Sequence, residues 1–160
     1  AQNACPNRQV ISLSGDGGFT MMMGEMLTLK QLNLPVKIFV FNNEELSFIA
    51  MEMKASGYLD YATDFVNPDF GKLAEAAGIK GVSIQNSSEV DEKIMEALNH
   101  NGPVIVNVRV DKQELAMPPK IAYQQAKGFS KYLINAILDG RGTELKEMAK
   151  TNWMKYKSLY

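Results

Sequence analysis

Asp16 and Asn43 are the residues of this 160-residue chain whose type and setting point most directly to chemistry. Asp16 lies in Gly15-Asp16-Gly17-Gly18, straight after the apolar run Val10-Ile11-Ser12-Leu13, and Asn43 follows Asn42 at the end of Val36-Lys37-Ile38-Phe39-Val40-Phe41. Glycines let a backbone turn sharply and approach a ligand closely. Their N–H groups, with the start of a following helix, suit phosphate oxygens. A carboxylate among them would repel a phosphate unless a divalent cation sat between the two. Magnesium takes roughly octahedral oxygen coordination, commonly one or two carboxylates plus substrate phosphates. An Asp16 oxygen, the Asn43 amide oxygen, a main-chain carbonyl, two phosphate oxygens and water would complete such a shell. The residues therefore read as a magnesium–diphosphate anchor.

The elements around them give the placement. Both apolar runs read as strands, and Phe19 to Leu34 is long enough for a crossover helix that Pro35 stops. A strand–helix–strand unit of this length is parallel, so both turns fall at one sheet edge. Ligands of open α/β sheets bind at the carboxyl ends of such strands. Asp16 and Asn43 are thus expected across one crevice.

At these residues the chain resembles the thiamine-diphosphate enzymes, whose signature is GDG, a helix and strand, then NN. Here it stands as Gly15-Asp16-Gly17 and Asn42-Asn43, with Asp16 and Asn43 twenty-seven positions apart. The resemblance implies Asp16, Asn43 and the carbonyl of Glu45 as magnesium ligands, with Gly17 and Gly18 against the diphosphate. The stretches Asn43 to Lys54 and Gln125-Ala126-Lys127-Gly128-Phe129-Ser130 narrow the likeness to bacterial pyruvate oxidases, above all the pyruvate:quinone oxidoreductases. It runs from about Arg8 to Trp153. In that family Leu46 and Ser47 join the cofactor-binding segment, Phe48 lies between thiamine and flavin, and Ile49 and Glu52 face the active cavity. Phe48 and Glu52 are accordingly the expected catalytic pair. The implied activity is oxidation of pyruvate to acetate and carbon dioxide, with electrons passing through FAD to membrane quinone. Phosphate- and oxygen-dependent pyruvate oxidases, acetolactate synthases and a noncatalytic module of the same fold are the alternatives.

Composition sets the outer bounds. With 46% hydrophobic residues and a net charge of −1, the chain is an ordinary globular one with no bulk attraction to nucleic acid. The single Cys5 excludes an internal disulfide and reads as a bystander. No leader or long apolar span is visible, which makes the cytoplasm the default location. The expected division is a thiamine-diphosphate and magnesium domain at 1–111, cut at its start, and a linker with amphipathic helices at 112–160. Family members carry two further domains upstream, one of which holds most of the FAD, and a homo-oligomer is expected.

The remaining pattern gives a doubly wound, mostly parallel α/β sheet flanked by helices. Met22, Met23, Met26 and Leu29 make an apolar stripe read as core. Asn67-Pro68-Asp69 starts a helix with Phe70, Leu73, Ala74 and Ala77 inward and Gly78 at its end. Ile79 to Ile84 is a strand. Ser88 and Asp91 would cap a helix carrying Val90, Ile94 and Leu98, with an exposed His100 at its end. Pro103 to Val110 is apolar enough to be a central strand. Phe48, Ile49 and Glu52 share a helix face, and pattern alone leaves it open between core and cavity wall.

After the linker Leu115 to Pro119, Phe129, Tyr132, Leu133, Ala136 and Ile137 define one amphipathic helix. Thr143 opens another, with Leu145, Met148, Ala149, Trp153 and Tyr156 on one side. From Arg141 onward five basic residues face two acidic, a local excess of +3. That pattern suits either an anionic bilayer surface or a subunit interface. The resemblance favours the first: the C-terminal helices would hold the enzyme on the inner face of the cell membrane.

Overall fold

Four strands form one parallel sheet: β1 (Ile11–Gly15), β2 (Lys37–Asn42), β3 (Lys80–Ile84) and β4 (Val104–Arg109), in the order β1-β2-β4-β3. The computed structural model describes residues 1–112 and 123–158, with side chains through 153. The expected linker at Leu115 to Pro119 and the side chain of Tyr156 lie outside the described residues. The chain divides into two units, one of residues 1–44 and 66–110, the other of 45–65 and 111–160. Residues 45–65 cluster with the C-terminal helices.

Strand period two distributes the core of the first unit onto both faces of the sheet. Val40 and Ile105 point to one face with Phe19, Phe70 and Ala74, from α1 (Asp16–Met21) and α4 (Phe70–Ala76). Phe39, Val104 and Val106 point to the other, against Ala97, Ile94 and Leu98 of α5 (Val90–Asn99). Helices cover both faces, so the doubly wound reading holds. Val104, Ile105 and Val106 are fully buried, as expected for the centre of such a sheet. Phe19 meets Phe70 edge-on, with ring centroids 5.1 Å apart.

Local corrections have physical causes. The helix expected over Phe19 to Leu34 starts at Asp16 and breaks into α1, a 3-10 turn at Met23–Glu25 and α2 (Met26–Gln31). Glycines at 17, 18 and 24 weaken it, since glycine is roughly 1 kcal/mol poorer than alanine in a helix. Met23 and Met26 pack on the core, but Met22 is exposed. Asp69, not Asn67, caps α4, its Oδ1 accepting from Gly71 N at 2.9 Å and Lys72 N at 3.3 Å. Ahead of α5 the 3-10 turn Ser87–Glu89 intervenes. There Glu89 accepts from the N–H groups of Gln85 and Asn86, taking the role assigned to Ser88 and Asp91.

One buried cation braces the end of α5. Lys37 is 1% exposed, and its Nζ donates to His100 O at 2.6 Å and Gly102 O at 2.5 Å. Burial pushes its ammonium pKa down. Lys37→Met strands those two carbonyls and should cost about 1–3 kcal/mol at neutral pH. The sign of the pH dependence follows from the folded pKa lying below the unfolded one. The unfolded chain holds more protons between the two values, so wild-type stability rises there as pH rises. Urea unfolding at pH 7.5 and 10 should show the wild-type advantage over Lys37→Met widening; a narrowing gap would contradict the assignment.

The second unit holds α3 (Ser47–Ala55), α6 (Tyr123–Leu138) and α7 (Gly142–Ser158). Tyr132, Ala136 and Met148 form its buried centre, with Phe129, Leu133 and Leu145 packed on it. Thus Leu145 and Met148, the start of the face expected to meet a bilayer, are covered by α6. Ala149 and Trp153 remain exposed, as does Ile137 of α6. No helix among the described residues is long and apolar enough to cross a membrane.

Candidate functional site

The carboxyl edge of the sheet gathers the polar residues of the first unit. Register places Gly15 beside Phe41 and Asn42 beside Arg109, so Asp16, Asn42 and Arg109 all emerge at that edge. Asp16 is 2% exposed. Its Oδ1 accepts the N–H of Gly17 at 2.8 Å. Its Oδ2 accepts two donors, the N–H of Glu44 at 2.7 Å and the Asn67 amide at 2.8 Å. The N–H immediately after Asn43 therefore rests on the Asp16 carboxylate, and Asn43 itself is half-buried.

Glu44 makes this turn at a cost. Its φ is +60°, a left-handed conformation that L side chains adopt rarely. The hydrogen bond to Asp16 and a two-pronged pair with Arg109, at 2.9 and 3.0 Å, help to hold it there. Those bonds to Glu44 also hold the Arg109 guanidinium above its ordinary pKa.

The glycines play a different part from the expected one. None of Gly15, Gly17 and Gly18 has a positive φ, so a sharp left-handed turn is not why they are glycine. A side-chain carbon added at Gly15 would meet nothing within 4 Å, and one at Gly18 only Ser14 Oγ at 3.5 Å. Fold packing does not demand glycine at either position, whereas close approach of a bound group to the backbone would.

The sequence pattern does not show the amide chain behind Asp16. Asn67 had been read as part of a helix start. Its Nδ2 instead bridges Asp16 Oδ2 and Asn42 Oδ1, the latter at 3.0 Å. Asn42 Nδ2 continues the chain to Asn107 Oδ1 at 3.0 Å. A signal for Asn107 existed: a polar residue in the middle of an otherwise apolar central strand requires a partner.

The remaining expected residues belong to the second unit. Glu45 is buried, its backbone pairs with that of Asp64 in an isolated antiparallel bridge, and its carboxyl pKa is raised, chiefly by burial. Its carbonyl, the expected third ligand, accepts Ser47 Oγ at 3.5 Å. Leu46 N donates to Thr63 O at 2.8 Å. On α3, Phe48 is 73% exposed and Ile49 49%, and Glu52 shares their exposed face. Neither Phe48 nor Ile49 is part of a buried core cluster among the described residues. The other side of α3 carries Lys54, which is 4% exposed. It lies 3.9 Å from Asp60 and 3.6 Å from Glu144. Arg141 binds the same two carboxylates at 2.8 and 2.6 Å. Two cations thus balance two anions beneath the exposed face.

Asp16 fits the role of a magnesium ligand. It is a buried carboxylate hydrogen-bonded by N–H donors rather than by a cationic side chain, with one donor at Oδ1 and two at Oδ2. Carboxylate and amide oxygens are the hard donors magnesium takes. No group of three or more His, Cys, Asp or Glu suited to a metal occurs among the described residues, so phosphate and carbonyl oxygens would have to complete the shell.

A parallel α/β sheet with a buried aspartate and an asparagine turn at its carboxyl edge has the layout in which open α/β sheets bind ligands. Comparison with known proteins makes the class specific. The family described as thiamine pyrophosphate enzyme, C-terminal TPP binding domain, matches residues 1–108, and the chain belongs to it. The chain is similar to YdaP of Bacillus subtilis (strain 168), provisionally designated a thiamine pyrophosphate-containing protein. They share 37% identity over 91% of this chain and 25% of that protein. It is 39% identical to the mitochondrial acetolactate synthase catalytic subunit of Saccharomyces cerevisiae, over 74% of this chain and 17% of that one. Against the acetolactate synthase isozyme 2 large subunit of Escherichia coli (strain K12), identity is 35% over 74% of this chain and 22% of that protein. The chain spans a quarter or less of these relatives' lengths.

Proposed function

We propose that this chain is the cofactor-anchoring part of an enzyme that decarboxylates pyruvate with thiamine diphosphate, of the acetolactate-synthase type. The observation that carries this reading is the Asp16 clamp, set in a chain whose relatives include acetolactate synthases. Asp16 and Asn43, with the carbonyl of Glu45, hold magnesium. Gly17 and Gly18 present N–H groups to the diphosphate. Phe48, Ile49 and Glu52 line the substrate side, with Leu46 and Ser47 leading into it. When bound, the cofactor supplies the nucleophilic carbon and the electron sink for decarboxylation. In the acetolactate reaction two pyruvates yield acetolactate and carbon dioxide.

A second reading rests on the resemblance of Asn43 to Lys54 and Gln125 to Ser130 to the pyruvate:quinone oxidoreductases. In it pyruvate and water yield acetate and carbon dioxide, and two electrons reach FAD and then a membrane quinone. The enzyme would then be a homo-oligomer held on the inner membrane face by the C-terminal helices, with Trp153 exposed for contact. Assaying the intact protein with pyruvate, thiamine diphosphate, magnesium and FAD separates the readings. Acetolactate formed without an added acceptor supports the first. Acetate formed only with quinone supports the second, and neither product would refute pyruvate as substrate.

A further inference from the structure

We infer that Asn67 is a positioning residue for the metal-holding carboxylate of Asp16. The inference rests on the proposed magnesium role of Asp16 and extends it to a residue outside the GDG and NN motifs. Asn67 Nδ2 faces two acceptors, Asp16 Oδ2 at 2.8 Å and Asn42 Oδ1 at 3.0 Å. That fixes its amide orientation, because a flipped amide would set its oxygen against a carboxylate. Asn42 is 3% exposed and is itself held by Asn107, which is 2% exposed. The amide chain therefore ties Asp16 to β4, two strands away in the sheet.

The consequence for Asp16 is asymmetric. Oδ2 receives two donors, from Glu44 N and Asn67, whereas Oδ1 receives one, from the adjacent Gly17 N. A carboxylate oxygen accepts about two hydrogen bonds. Oδ2 is thus saturated by protein, and Oδ1 keeps capacity for a cation. Asn67 fixes which oxygen is which. Partners that orient a metal ligand in this way typically change metal affinity about 10–100-fold when removed.

The test is the magnesium requirement of thiamine diphosphate binding by the intact protein, followed by calorimetric titration at stepped magnesium concentrations. Asn67→Leu should raise the magnesium needed for half-maximal binding about 10–100-fold. Binding should return at saturating magnesium, because the phosphate contacts are untouched. Asn107→Val, which breaks the same chain one step further away, should lower the melting temperature while moving the magnesium requirement less than about threefold, outside that range. If Asn67→Leu does not fold, Asn67→Ser is read in the same way. An unchanged magnesium requirement, or an equal change in Asn107→Val, would overturn the inference while leaving the site reading intact. Absence of magnesium-dependent binding in the wild type would instead overturn both.

Discussion

Asp16→Ala should abolish magnesium-dependent binding of thiamine diphosphate, with affinity falling by roughly two to three orders of magnitude. The argument starts from burial. Asp16 is 2% exposed and takes three N–H donors, from Gly17, Glu44 and Asn67. Truncating one partner of a buried, hydrogen-bonded charge pair in a complex typically costs about 2–5 kcal/mol of binding, and about 1.4 kcal/mol is tenfold in affinity. Alanine would also take from Glu44 the hydrogen bond its backbone N–H gives to Asp16, so the Asn43 turn loosens as well. Asp16→Asn is the sharper variant: it keeps the shape but loses the charge and can set an NH2 group against two donors. Both should lose the calorimetric signal that the wild type gives with magnesium. If either variant bound as tightly as wild type, Asp16 would not be the metal ligand.

Asp16 and the paired asparagines were legible because glycine and amide residues directly after apolar β-branched runs mark strand ends, and parallel strands bring those ends together. The same logic gave β4 its central place from Pro103 to Val110. What failed was local and had local reasons. Asn67-Pro68-Asp69 offers two cap candidates two residues apart, and the pattern does not say which carboxylate or amide turns back on the helix. The structure uses Asp69, held also by Ser83 Oγ at 2.6 Å, and so releases Asn67 for Asp16. Glu44 was invisible for another reason: its left-handed φ is imposed by partners at positions 16 and 109, not by its own preference.

Longer separations hid more. Nothing in their own segments marks Lys54, Asp60, Arg141 or Glu144 as buried charges. Only folding brings 54 and 60 against 141 and 144, where burial makes each depend on the others. Removing one partner of such a group leaves an uncompensated charge, which is why a buried pair is strongly destabilised by single truncation. The amphipathic reading of the last helix was incomplete on the same account. Leu145 and Met148 are apolar because α6 covers them, and that partner is not visible in the period of α7 alone.

The tail motif Gln125 to Ser130 carries the second large effect. Gly128→Ala should destabilise the second unit by more than about 3 kcal/mol, the upper end for an overpacked contact. A side-chain carbon at Gly128 would fall on the carbonyl oxygen of Ala55 and lie 2.8 Å from its carbonyl carbon and 3.1 Å from that of Ser56. All three are backbone atoms, so no side chain can swing aside. α6 would have to lift from the end of α3, where Asn135 also donates to Gly57 O at 3.2 Å and Lys54 meets its carboxylates. Lifting it exposes Tyr132, which is fully buried, and unpairs the charges below it. Gly142→Ala provides the contrast within the same unit. Nothing lies within 4 Å of its added carbon and its φ is not positive, so alanine there should be neutral or stabilising by up to about 1 kcal/mol. Hydrogen exchange of α3 and α6 amides, read beside urea unfolding, distinguishes the two. Gly128→Ala should lose protection in both helices, and wild-type protection in that variant would show that the helices do not approach at Gly128.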